Sequence, residues 1–226
     1  MKKKITASFS RANILLHDQR IIMRYFFFAW LITSGIASYA QSDFEGVITY
    51  KIDIIPNRII SLKHYNSDTM VVYMKEGNYK QVYPNAKSLY SVTYVQSENK
   101  MYYFSKNYDT IIYKDAAIVD DTVVTTKRND SITQILGYNC KDIAYVLKHK
   151  KIVYYYAEQL PINPDYFKNY NTSCYNTYAN DSKSVYLKLI ISTAEADIIF
   201  TALKIEQKLI DDSEFKLPPK PLKMKE

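Results

Sequence analysis

From Phe44 onward, small or apolar residues return at every second position. Phe44, Gly46, Ile48, Tyr50, Ile52 and Ile54 fall on one side of an extended chain, and Glu45, Thr49, Lys51 and Asp53 on the other. That period belongs to a strand with one buried face and one wet face, and it excludes a helix over the same span. Pro56 ends the run, because it has no N–H to give to a sheet ladder. The same texture recurs along the chain. Residues 69–75 and 79–83 are predicted strands joined at Glu76-Gly77-Asn78, where Gly77 and Asn78 tolerate positive φ. Residues 87–95, 100–105 and 108–114 continue as a meander, and connections that short force antiparallel neighbours.

Further on, residues 118–126 and 131–136 read as extended chain, Gly137 interrupts, and 138–147 resumes. A lone glycine inside a strand pattern predicts a bulge or bend, so Gly137 is expected to be a corner where the sheet changes direction. Strands are also predicted at 151–158, 184–192 and 197–208, with an edge strand fraying into a Pro- and Lys-rich tail from about residue 216. Between them, residues 163–182 form a polar stretch without strand pattern, in which 165–170 can make one helical turn. A loop of that length in a compact domain is often a lid or a binding edge. With 23 tyrosines and only 4 glycines, the composition also leans toward pleated, half-buried surfaces. The expectation is a mainly β domain: a single curved antiparallel sheet or incomplete barrel of about ten strands, with little helix beyond a short turn near 163–170.

Before that domain stand Arg24, the apolar run 26–37 and Ser38-Tyr39-Ala40, the three parts of a secretory signal peptide. Cleavage is expected between Ala40 and Gln41, leaving 41–226 as one β-rich domain. Residues 1–22 are an unusually long basic lead-in, and Met23 alone would open a compact signal peptide at 23–40, so translation is expected to begin there. Trp30, the only tryptophan, falls inside the leader, and the exported chain should therefore show tyrosine emission alone.

The formal charge of +7 is mostly a property of the leader, which holds six basic residues against Asp18. What remains is close to neutral, with its lysines scattered, and nucleic acid is not an expected partner. The densest basic group, Lys148 to Lys151 around His149, reads as a solvated hairpin turn. His64 and His149 lack the spaced Cys, Asp or Glu companions of a zinc site, so no metal is expected. Gly46, Gly77 and Gly137 are isolated, and neither a nucleophile elbow nor a phosphate-cradling loop can be drawn from them. Asp120-Asp121 and Asp211-Asp212 are neighbours whose side chains diverge in extended chain, as turn or edge residues do. No cofactor, catalytic residue or transmembrane span is expected after residue 40. Cys140 and Cys174 leave two readings open, a disulfide closing residues 141–173 or two unbridged thiols with Cys140 buried.

Four stretches carry a resemblance: Phe44-Glu-Gly-Val-Ile-Thr-Tyr50; Ile135-Leu-Gly-Tyr-Asn-Cys-Lys141; Tyr154-Tyr-Tyr156 with Ile162-Asn-Pro-Asp-Tyr-Phe-Lys168; and Ala202-Leu-Lys-Ile-Glu206 with Leu209-Ile-Asp-Asp-Ser-Glu-Phe215 and Leu217-Pro218. In this order they resemble secreted GLPGLI-like proteins of Bacteroidota-type envelopes. That group is similar in turn to the LolA/LppX-like periplasmic lipoprotein carriers, whose fold is an incomplete antiparallel barrel around an apolar cavity. The resemblance implies an exported, periplasmic or cell-surface binding module without enzymatic activity, sequestering a lipid or a lipoprotein acyl chain on its concave face. The alternative it leaves is a structural or protein-interaction component of the envelope with no small ligand. It also implies O-glycosylation at an acid-hydroxyl-apolar pattern that recurs at Thr69, Thr110, Thr122 and Ser131. The same pattern has a plain structural meaning, since a turn acid followed by a β-branched residue starts many strands.

Overall fold

A computed structural model of the chain describes residues 42–57, 67–119 and 121–225. Residues 42–226 form one compact unit. Twelve strands build a single sheet: β1 (Gly46–Pro56), β2 (Thr69–Lys75), β3 (Asn78–Val82), β4 (Leu89–Val95), β5 (Lys100–Ser105), β6 (Ile111–Asp115), β7 (Val123–Ile135), β8 (Tyr138–Leu147), β9 (Lys151–Pro161), β10 (Ser184–Ser192), β11 (Ala196–Gln207) and β12 (Leu222–Met224). Their lateral order is β12-β6-β5-β4-β3-β2-β1-β11-β10-β9-β8-β7. The sheet is open, curved and not closed into a barrel. Pairing is antiparallel except at β12, which lies parallel to β6 and adds one strand from the C-terminal tail.

The curvature can be argued from distances. Met101 on β5 and Tyr154 on β9 line one cavity, yet seven strand spacings separate them in the lateral order. A flat sheet would hold them roughly 34 Å apart at about 4.8 Å per strand. The face they share is therefore concave. Register carries apolar side chains across it in rows: Met74 stands opposite Tyr79, Tyr79 opposite Tyr94, and Tyr94 opposite Met101. Tyr50 faces Met70 in the same way, and Leu189 faces Tyr154. On β2 the alternation is complete, with Met70, Val72 and Met74 buried and the residues between them half-exposed.

Two predicted features take a different form. Gly137 is no corner inside a strand: Leu136 (φ 51°) and Gly137 (φ 81°) form the two-residue turn of a hairpin between β7 and β8. Positive φ at both positions gives the mirror-image turn whose twist matches the flanking strands. The β2–β3 hairpin uses the same device at Glu76 and Gly77, one position earlier than expected. The two extended stretches predicted at 118–126 and 131–136 are one strand, β7, with a register irregularity between Asn129 and Thr133.

Because β6 and β7 belong to opposite borders of the sheet, the chain between them crosses the open side. Along this crossing the Ala116 carbonyl accepts from the Asn171 N–H, and the Thr122 carbonyl accepts from the Lys148 N–H.

Candidate functional site

Residues 162–183 leave the sheet and return to it at the same point, where the Ile162 N–H donates to the Lys183 carbonyl at 2.9 Å. This strap is built from short pieces. Asn163 caps a 3₁₀ turn (Pro164–Phe167) by accepting from the Asp165 N–H at 3.0 Å, and Pro164 suits its first position. A second turn at Thr172–Cys174 is followed by the helix α1 (Tyr175–Ser182), and Lys183 closes α1 in the left-handed conformation. The expected turn near 163–170 is thus present, whereas α1 departs from the expectation of a polar loop. Its inward face is Tyr175, Tyr178, Ala179 and Ser182, all buried. That i, i+3, i+4, i+7 spacing was the available signal, hidden because two of the four are tyrosines and the outer face is Asn, Thr and Asp.

The strap is seated on the concave face by rings whose polar tips are satisfied. Tyr154 stacks on Tyr178 with centroids 4.0 Å apart, and Tyr94 lies 4.7 Å from Tyr170. The Tyr154 hydroxyl donates to the Ser173 carbonyl at 2.8 Å, Tyr178 to the Ser184 carbonyl at 2.8 Å, and Tyr145 to Asp181 Oδ2 at 2.7 Å. The Tyr79 and Tyr170 hydroxyls bond to each other. Arg128 on β7 holds the second Asp181 oxygen at 2.6 Å. Gly77 fits the seat too, since a Cβ there would lie 2.5 Å from Tyr166 Cβ.

Beside the strap a cavity of about 200 Å³ remains unfilled. Its floor is the sheet, with Met70, Val72 and Met74 from β2, Met101 from β5, Val185, Leu189 and Ile191 from β10, and Phe200 from β11. One wall is the strap, through Tyr170, Thr172, Ser173 and Tyr175, and the remaining lining is Gln81 and the rings of Tyr50, Tyr79, Tyr83, Tyr154 and Tyr186. The strap's Tyr166 reaches the β2–β3 turn, whereas Met70, Tyr83 and Ile191 lie toward the other ends of their strands.

Among the described residues, no carboxylate, imidazole, amine or thiol lines this space. Its ionisable groups are phenols, and burial holds those of Tyr50, Tyr79, Tyr154, Tyr175 and Tyr178 well above the ordinary phenol value, with neighbouring phenols adding to the shift. Such hydroxyls remain protonated at neutral pH and act as hydrogen-bonding groups, not as bases. Desolvation pushes Tyr94, packed against Tyr170 and Phe167, up to about 12.

The residues singled out from sequence fall elsewhere. Cys140 and Cys174 are both buried free thiols, so the bridged reading does not hold in this structure. Cys140 instead donates weakly to the Tyr138 carbonyl at 3.7 Å. Of the four hydroxyl positions, Thr122 and Ser131 are exposed and Thr69 and Thr110 half-buried. Thr69 starts β2 and bonds Asp68 at 3.0 Å, and Thr110 and Thr122 immediately precede β6 and β7. Asp121 ties down the β8–β9 turn by accepting from the His149 N–H at 3.1 Å, and Asp211 caps a 3₁₀ turn at Asp212–Phe215. Met23, the Ala40–Gln41 cleavage point, His64 and Asp120 lie outside the described residues. Among the described residues no cluster of three His, Cys, Asp or Glu side chains could hold a metal ion, and no helix is long and apolar enough to cross a membrane.

No family model matches this chain, and no curated protein matches its sequence. Among solved structures it is similar to PNGF-II in two crystal forms. For the P21 form the TM-score is 0.47 at 12% identity, covering 80% of this chain and 32% of that one. For the C2 form it is 0.46 at 13%, covering 80% and 31%. The chain therefore spans about a third of PNGF-II. LprF from Mycobacterium bovis aligns over 74% of this chain and 88% of its own, with a TM-score of 0.33 at 8% identity. These likenesses are too loose to carry a function, and the reading below rests on the cavity.

Proposed function

We propose that this protein is an exported, non-enzymatic binding module of the periplasm or cell surface, which buries the apolar part of a ligand between the concave face and the strap. The observation that carries the reading is the unfilled cavity of about 200 Å³, floored by methionines and aliphatic side chains and ringed by protonated phenols. Binding there is driven by burial, at roughly 25 cal/mol per Å² of apolar surface, offset by the cost of immobilising the ligand. Flexible methionine side chains let such a floor adapt to more than one shape.

Size narrows what fits. An apolar cavity of about 150 Å³ accepts a benzene ring, so this one suits a small amphiphile or the end of one acyl chain. A whole multi-chain lipoprotein anchor exceeds it. The methionine methyls provide the test: with 13C-methyl labels, Met70, Met74 and Met101 line the cavity, while Met224 is exposed on β12 and serves as an internal control. Titration with toluene should shift the first three and not the fourth. Ile191→Trp, which puts a larger ring into the lining, should abolish those shifts, and uniform or absent shifts in the parent would reject the reading.

A second reading is favoured by β7. Eleven successive residues of this border strand are exposed, and among the described residues no strand lies beside one of its backbone edges. An extended segment of an envelope partner could add a strand there. The partner-binding reading predicts amide protection along β7 when the partner is present, with the methionine signals unmoved.

A further inference from the structure

We propose that the cavity selects a small uncharged ligand of about eight non-hydrogen atoms bearing one hydrogen-bonding oxygen, and that this oxygen meets the hydroxyl of Tyr175. The proposal rests on the reading of the cavity as a binding site and adds the ligand's chemical class. Tyr175 stands apart from the other phenols of the lining. The hydroxyls of Tyr50, Tyr83 and Tyr154 donate to protein oxygens, Tyr79 and Tyr170 bond each other, and Tyr186 has the Gln81 side chain beside it. The Tyr175 ring is packed by Phe167 at 5.0 Å, Tyr178 at 5.4 Å and Tyr170 at 5.5 Å. Its hydroxyl has no hydrogen-bond partner among the described residues, although the residue is only 7% exposed. No buried side-chain oxygen or nitrogen there is sealed off without a partner. The Tyr175 hydroxyl therefore opens into the cavity it lines, its ring held by its aromatic neighbours and the hydroxyl free to donate.

Volume and charge supply the rest. If about 150 Å³ takes the six carbons of benzene, about 200 Å³ takes roughly eight non-hydrogen atoms. A ligand carboxylate entering this space would lose its water and find no cation among the described lining residues to replace it. A ketone, ester, amide or alcohol oxygen needs only one donor, and Tyr175 supplies it.

Three probes separate the possibilities: 2-heptanone, heptanoate at neutral pH, and toluene, each titrated into the methionine-labelled protein. The ketone should bind at least about tenfold more tightly than heptanoate. Tyr175→Phe keeps the ring and removes the hydroxyl, and should weaken the ketone about fivefold, as one neutral hydrogen bond does, while toluene stays within about twofold. Heptanoate binding as tightly as the ketone would overturn the proposal without Tyr175→Phe having to fold. Equal losses for ketone and toluene, or no loss for the ketone, would overturn it as well. If none of the three moves the cavity methionines, the binding reading itself falls; if toluene alone binds, the binding reading stands and the polar selection does not.

Discussion

Two irregular segments cross this sheet, one on each face, and they are fastened in opposite ways. The strap on the concave face inserts Phe167, Tyr170, Tyr175 and Tyr178, each at most 7% exposed. The C-terminal segment crosses the outer face of β2–β4 and is held by ions: Lys75 Nζ lies 2.6 Å from Asp212 and 3.0 Å from the Ile210 carbonyl, and Lys80 Nζ lies 2.8 Å from the Glu214 carbonyl. Of its residues up to Phe215, only Ile210 is buried. Both segments open 3₁₀ turns with an Asn or Asp cap, so local chemistry does not distinguish them. What differs is desolvation. Aromatic rings removed from water contribute several kcal/mol each, whereas ion pairs at a wet surface contribute little and are screened by salt. The strap can therefore wall a cavity, and the tail serves to cover the outer face and extend the sheet border.

The largest break in that contrast comes from alkaline titration. Phenols whose folded pKa is raised stabilise the fold fully below their unfolded value near 10, and that stability is lost as pH rises through and beyond it. Tyr50, Tyr79, Tyr154, Tyr175 and Tyr178 all carry this sign. Unfolding should thus become cooperative above about pH 10, with the buried phenolates appearing at 295 nm only as circular dichroism is lost. Phenolate absorbance rising smoothly while the fold persists would contradict the buried core. Next is Tyr178→Ala, which removes a ring stacked on Tyr154 and should cost about 3 to 5 kcal/mol in urea unfolding. A loss under about 1 kcal/mol would mean that the strap is not anchored by its rings. Gly77→Ala sharpens the comparison further, because it strains a turn at φ 80° and pushes on Tyr166; a cost of about 1 to 3 kcal/mol is expected by the same assay. The smallest effect belongs to the outer face. Lys75→Met should lower the melting temperature slightly at low salt and converge with the parent at high salt, and a loss independent of salt would show that the tail is held by more than charge.

Much of the sheet is readable along the chain. β2, β5 and β10 begin and end where strand-forming residues and turn residues predict, and on β2 the cause is plain, one dry face alternating with one wet face. β7 resists such reading since both of its faces are wet, leaving no alternation between residues 124 and 134. The strap resists for another reason. Hydropathy treats tyrosine as ambivalent, yet Tyr175 and Tyr178 are core residues once Phe167, Tyr154 and Tyr186 surround them. Of the candidate site, the tyrosine abundance pointed only to pleated, half-buried surfaces, and no single lining residue could be named in advance.

Linear order alone was enough for strand identity, hairpin neighbours and a mainly β domain, because period-two burial and turn chemistry are local properties. The cavity, its lining and the open hydroxyl of Tyr175 arose only when β5 and β9 were brought to opposite walls of one space. Sheet curvature sets that meeting, and curvature is the sum of twists and pairings over strands far apart in the chain. The fate of Cys140 and Cys174 was decided the same way: two thiols that count alone would allow to pair are each buried and free in the folded chain.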